Sequence, residues 1–152
     1  MARTLIIGFG NTLRSDDGLG WCVAERLASE ILDPEIQVLV LQELTAEIAD
    51  SVRQAERVLF IDAASEGEAG ELRCTRLAPS QSAVAHVHHC SPGNILRLAE
   101  DLYGARPIAD QFTVTGASFE LGQSLSPAVS AVVPALLAKI REWIAGRSAT
   151  SC

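Results

Sequence analysis

The chain has 152 residues, 48% of them hydrophobic and 20% charged, with a formal net charge of −7. That length fits one domain with a real core, and the composition excludes a disordered chain. The negative charge argues against general binding to nucleic acid or anionic membrane, and no apolar run approaches the roughly 18–20 residues of a bilayer span.

The N-terminus enters a strand with no signal-peptide pattern, so cytoplasm is the expected location. Cys22, Cys74, Cys90 and Cys152 share no C-x-x-C spacing and are expected to be reduced thiols. Thr4 to Phe9 is a continuous apolar run, the pattern of a strand covered on both faces. It runs into the turn Gly8-Phe9-Gly10 and the acidic pair Asp16-Asp17. From Leu19 to Leu32, Trp21, Ala24, Leu27, Ala28, Ile31 and Leu32 recur at helical spacing, and Pro34 ends the helix. Ile36 to Leu41 is a second strand and Thr45 to Val52 a short helix. Arg57 to Ile61 is a third strand that delivers Asp62 at its C-terminal end. Glu71 to Leu77 follows a turn-prone stretch and reads as an edge or antiparallel strand.

Ser91-Pro92 is a cap-plus-proline helix start; that helix runs to about Tyr103, burying Ile95, Leu96, Ala99 and Leu102, and stops at Gly104. Gln111 to Thr115 is a short strand. Ser126-Pro127 opens a long helix to Ile144, with Val129, Val132, Val133, Leu136, Leu137 and Ile140 on one stripe and Pro134 expected to kink or break it. Alternating strands and helices predict an α/β sandwich around a mostly parallel sheet. Residues 1–147 form a single domain on this reading, and residues 148–152 a short tail.

Ligands of open α/β sheets bind outside the carboxyl ends of the strands. Three polar features converge there: Asp16-Asp17, Asp62, and the cluster His86/His88/His89/Cys90. A glycine-rich turn after a first strand usually holds phosphate, but two carboxylates repel an anion and attract a cation. Two carboxylates and an imidazole suit a divalent metal with open positions. Each feature also has a plain structural reading. Asp16 or Asp17 could cap a helix, Asp62 could close a strand, the histidines could line a loop, and Cys90 could be a small buried hydrophobe. No third glycine completes a dinucleotide fingerprint, no lysine completes a P-loop, and no G-x-S-x-G is present.

The segment Gly8-Phe9-Gly10-Asn11-Thr12-Leu13-Arg14-Ser15-Asp16-Asp17-Gly18-Leu19-Gly20 resembles the G-x-G-N-x-L-x-x-D-(D/E)-x-x-G signature of the hydrogenase maturation endopeptidases. These proteases trim the C-terminus of the nickel–iron hydrogenase large-subunit precursor. The resemblance extends to Asp62-Ala63 after a strand, a histidine before a helix, and Leu125-Ser126-Pro127. It implies a three-layer α/β sandwich, with a twisted, mostly parallel five-stranded sheet flanked by helices on both faces. It further implies that Asp17, Asp62 and His88 coordinate nickel, with His89 the alternate one residue away. That nickel is supplied by the substrate and marks a metal-loaded precursor. Asp17 and Asp62 become the catalytic candidates of an aspartic or metal-assisted endopeptidase, and Asp16 the candidate for a general base or a supporting hydrogen bond. The alternatives are a nickel-binding accessory protein that docks the large subunit without cutting it, and a metallohydrolase with its own metal. Many family members carry D-G-G-T-A after the second strand, where this chain has Gln42-Glu43-Leu44-Thr45-Ala46. That departure marks a divergent subgroup, expected to act on another hydrogenase type or another substrate.

Overall fold

The computed structural model describes residues 3–81 and 90–146. Within them lie five strands, β1 (Thr4–Phe9), β2 (Ile36–Leu41), β3 (Arg57–Ala64), β4 (Leu72–Leu77) and β5 (Ile108–Thr115), and four helices, α1 (Leu19–Glu30), α2 (Ile48–Val52), α3 (Pro92–Tyr103) and α4 (Pro127–Ile144). A short 3-10 turn, Ser15–Gly18, precedes α1. The sheet order is β2-β1-β3-β5-β4, parallel except for β4, which runs antiparallel to β5. The expected mostly parallel α/β sheet is therefore present, with the antiparallel strand at an edge.

Strand residues alternate between two cores, because successive side chains point to opposite faces. Ile6, Leu59, Ile61, Phe112 and Val114 meet Leu19, Val23 and Leu27 of α1 and Val129, Leu136, Leu137 and Ile140 of α4. On the other face Leu5, Ile7, Val58, Phe60 and Ala109 meet Ile48, Ala49 and Val52 of α2 and Ile95, Leu96 and Ala99 of α3. These are the three layers. Gly8 and Gly20 let α1 settle directly on the sheet. A Cβ on Gly20 would stand 2.3 Å from the Ile61 carbonyl and 2.4 Å from that of Phe9, so only glycine fits.

Several expectations shift. Leu32, expected on the buried stripe of the first helix, is exposed, because α1 ends at Glu30 and Ile31 is extended. Leu102 is also exposed, since the buried face of α3 stops at Ala99. Pro134 does not break α4, which continues through it to Ile144. The carbonyl that proline leaves unbonded, on Ser130, faces the exposed side, where water can satisfy it. Cys22 and Cys90 are in no disulfide, as expected, but Cys74 on β4 is disulfide-bonded. Cys152 and the tail 148–152 lie outside the described residues. No helix among the described residues is long and apolar enough to cross a membrane.

The N-terminal edge of the sheet is closed by polar contacts to the end of α4. The Trp143 indole N–H donates to buried Asp110 (2.8 Å), which also accepts from Arg76 Nε (2.6 Å). The Arg57 guanidinium lies 4.0 Å over the Trp143 ring and donates to the Trp143 carbonyl, covering the negative end of the helix.

Candidate functional site

β3 is longer than its apolar run predicts. It continues through Asp62, Ala63 and Ala64, which pair with Thr113, Val114 and Thr115 of β5. β1 stops pairing with β3 at Gly8↔Ile61, so Asp62 lies one residue past the point where β1 turns away into the glycine loop. The strand alternation sends Asp62 to the α2/α3 face. The Ala63 N–H donates to Asp62 Oδ1 (2.8 Å).

Asp17 reaches the same place from the loop. The chain turns back on itself at Gly10, where a Cβ would sit 1.8 Å from the Asp17 carbonyl. The fold of this turn lets the Asn11 N–H donate to Asp17 Oδ2 (2.9 Å), while Asn11 Oδ1 accepts from the Leu13 N–H (2.9 Å). The Asp17 side chain is thus aimed by backbone and stays partly open to solvent. Asp17 and Asp62 line one cleft of about 220 Å³, completed by Phe9, Gly10, Gln42, Glu43, Leu44 and Cys90. Burial pushes the Asp62 carboxyl up to about 7; the Ala63 N–H opposes this and the charge of Asp17 adds to it. A carboxyl raised toward neutrality is suited to exchange a proton with a bound group.

Asp16 has a different place. It is fully buried, and its oxygens accept from the N–H groups of Ala117 (2.7 Å), Ser118 (3.1 Å) and Ser126 (2.7 Å). Burial alone would raise its pKa, but these bonds outweigh it and hold the carboxyl below its ordinary range. Of the two roles expected for Asp16, base or support, the hydrogen bonds it makes are those of support. Further bonds tie the same loops together: Ser15 N–H to the Gly122 carbonyl (2.8 Å) and Gly122 N–H to the Leu13 carbonyl (2.9 Å). Asp16 thereby fixes the turn that carries Asp17 to the loop that opens α4.

His86, His88 and His89 lie outside the described residues, and the expected His88 or His89 ligand with them. Cys90, the next residue in the chain, lines the cleft, and Ser91 caps α3 by accepting from the Asn94 N–H (3.1 Å). Among the described residues no three metal-ligating side chains are grouped closely enough to hold an ion. Glu43 is the lining carboxylate that residue-by-residue reading passed over. Its signal was the unusual loop Gln42-Glu43-Leu44 itself.

No protein-family profile matches the chain, and no curated protein sequence does. Solved structures do. A hydrogenase 2 maturation peptidase from Thaumarchaeota archaeon SCGC_AB-539-E09 is 26% identical, with 94% of this chain and 98% of that chain covered and a TM-score of 0.71. The NiFe hydrogenase maturation protease HycI from Thermococcus kodakarensis KOD1 is 23% identical over 93% of this chain and 91% of that one, with a TM-score of 0.73. The hydrogenase maturating endopeptidase HybD from E. coli is 21% identical over 91% and 89%, with a TM-score of 0.74.

Proposed function

We propose, starting from a chain that belongs with the hydrogenase maturation proteases by fold and by its first-loop signature, that it is a peptidase of hydrogenase maturation. In the finer reading it removes the C-terminal extension of a nickel-loaded nickel–iron hydrogenase large-subunit precursor. The observation that carries this is the convergence of Asp17 and Asp62, 45 positions apart in the sequence, on one cleft at the carboxyl end of the sheet.

The nickel is the substrate's, and Asp17, Asp62 and His88 (or His89) are the residues proposed to receive it. A divalent ion there would polarise the scissile carbonyl or acidify a bound water. The raised Asp62 carboxyl belongs to the metal-free cleft; on receiving the ion Asp62 gives up its proton, and its oxygen left unligated is placed to take the proton of that water and return it to the leaving amine. Asp17, held by the Asn11 N–H, supplies fixed negative charge. Asp16 moves no proton; it holds the Asp17 turn in register. A precursor without metal would lack the ion that draws these carboxylates together, which gives the cleft its selectivity.

The test is incubation of the protein with nickel-loaded and metal-free precursor, read by intact mass. The expected result is loss of the C-terminal extension from the loaded form alone. Both forms remaining uncut while the protein still binds the loaded one would replace the protease reading with that of a docking protein.

A further inference from the structure

β2 ends at Leu41, and the next three residues, Gln42, Glu43 and Leu44, line the carboxylate cleft. β2 is also the outermost strand on its side of the sheet. Among the described residues, the backbone from Gln37 to Leu41 bonds only to β1 and to the Gly10 N–H. One row of its N–H and C=O groups is therefore without a partner among the described residues, over a strand about 20 Å long.

Exposed edges of this kind invite another strand, and proteins usually blunt them with charge, proline or a bulge. The opposite edge follows that rule: β4 carries Arg73 and Arg76. β2 does not. Its sequence Ile-Gln-Val-Leu-Val-Leu has no charge, no proline and no glycine. Beside it, toward α2, runs a groove of about 500 Å³ whose lining includes Leu39, Leu41, Ile48, Glu47 and Tyr103. A strand added to β2 would place alternate side chains in this groove, the arrangement by which edge-binding proteins combine backbone affinity with side-chain selectivity.

Charge identifies the occupant. Glu47 in the groove and Glu43 at its cleft end make no ion pair among the described residues, and Asp17 and Asp62 follow in the cleft. A second copy of this chain would bring the same carboxylates and a charge of −7 to the same edge, and would be repelled. We propose that the open edge of β2 binds an extended, net-positive segment of the precursor beside its cleavage point, as an added strand that leads the scissile bond into the Asp17/Asp62 cleft. This rests on the protease reading above.

The experiment is backbone hydrogen exchange of the whole protein with and without the nickel-loaded precursor, alongside processing kinetics of wild type and Glu47→Lys. The precursor is expected to slow exchange at alternate amides of Gln37–Leu41 by about tenfold or more. Glu47→Lys, an exposed change, is expected to raise KM about threefold or more with kcat unchanged. Normal processing with unaltered exchange across β2 would overturn strand addition while leaving the protease intact. Protection of β2 without cleavage would support the docking and overturn the protease reading, and neither signal would overturn both. Protection that rises with protein concentration alone would make a second copy the occupant and refute the proposal.

Discussion

Asp62 and Asp16 are shifted in opposite directions, and each shift has a consequence in pH. Asp62 has a folded value of about 7 against an ordinary 3.8. Its raised value means that stability present below pH 3.8 is lost as pH rises through 7. Asp62→Asn removes that loss. The variant is expected to gain on wild type by about 4 kcal/mol between pH 4 and pH 8, measured by urea unfolding at both. The same variant is expected to abolish processing, while in wild type kcat/KM rises with pH up to about 7 and then levels. A flat profile through that range would remove Asp62 as the base. Asp16 has the reverse linkage. Its lowered value stabilises the fold above the ordinary carboxylate range, and that contribution disappears on acidification. Asp16→Asn turns an amide donor toward backbone donors in a buried place, so about 3 kcal/mol should be lost at pH 7 and less near pH 3.

At the scale of elements, the site depends on how closely α1 lies on the sheet. Gly20→Ala would drive a methyl into the carbonyls of Ile61 and Phe9, both backbone and unable to swing aside. The expected cost is about 3 kcal/mol, seen as a fall in Tm, because overpacking of a close contact must move the helix. The glycines at these positions were legible in the sequence as parts of a motif, but what each glycine touches was not. β1 and β2 were legible to the residue, since uncharged apolar runs of six bounded by turns leave little choice. The extra length of β3 was hidden. Asp62-Ala63-Ala64 has no strand preference of its own and is extended because β5 offers partners for it. That tertiary effect is also what sets Asp62 beside the loop.

For the molecule as a whole, the sequence pointed to the carboxyl edge of the sheet, and the structure brings the candidates Asp17 and Asp62 together in one cleft there. The sequence could not separate Asp16 from Asp17. Adjacent carboxylates look alike in a string, and only the loop arriving from beyond residue 115 makes one a buried anchor and leaves the other open. The opposite edge of the sheet shows a similar long-range dependence. Trp143→Phe keeps the ring over which Arg57 lies and deletes the indole N–H to Asp110. It is expected to lower stability by about 1–2 kcal/mol in urea unfolding, without changing processing of the precursor.

The anchoring of Asp16 has one more consequence, in time. Its partners lie 101, 102 and 110 positions later in the chain. At the roughly 5–20 residues per second of synthesis, the turn bearing Asp17 waits several seconds for the backbone that fixes it. A nascent chain can pair β1 with β2 and β3 well before then, yet the acidic turn is still untied. Order in the cleft therefore comes last, when the start of α4 arrives, and an unfinished chain presents a sheet without a set site.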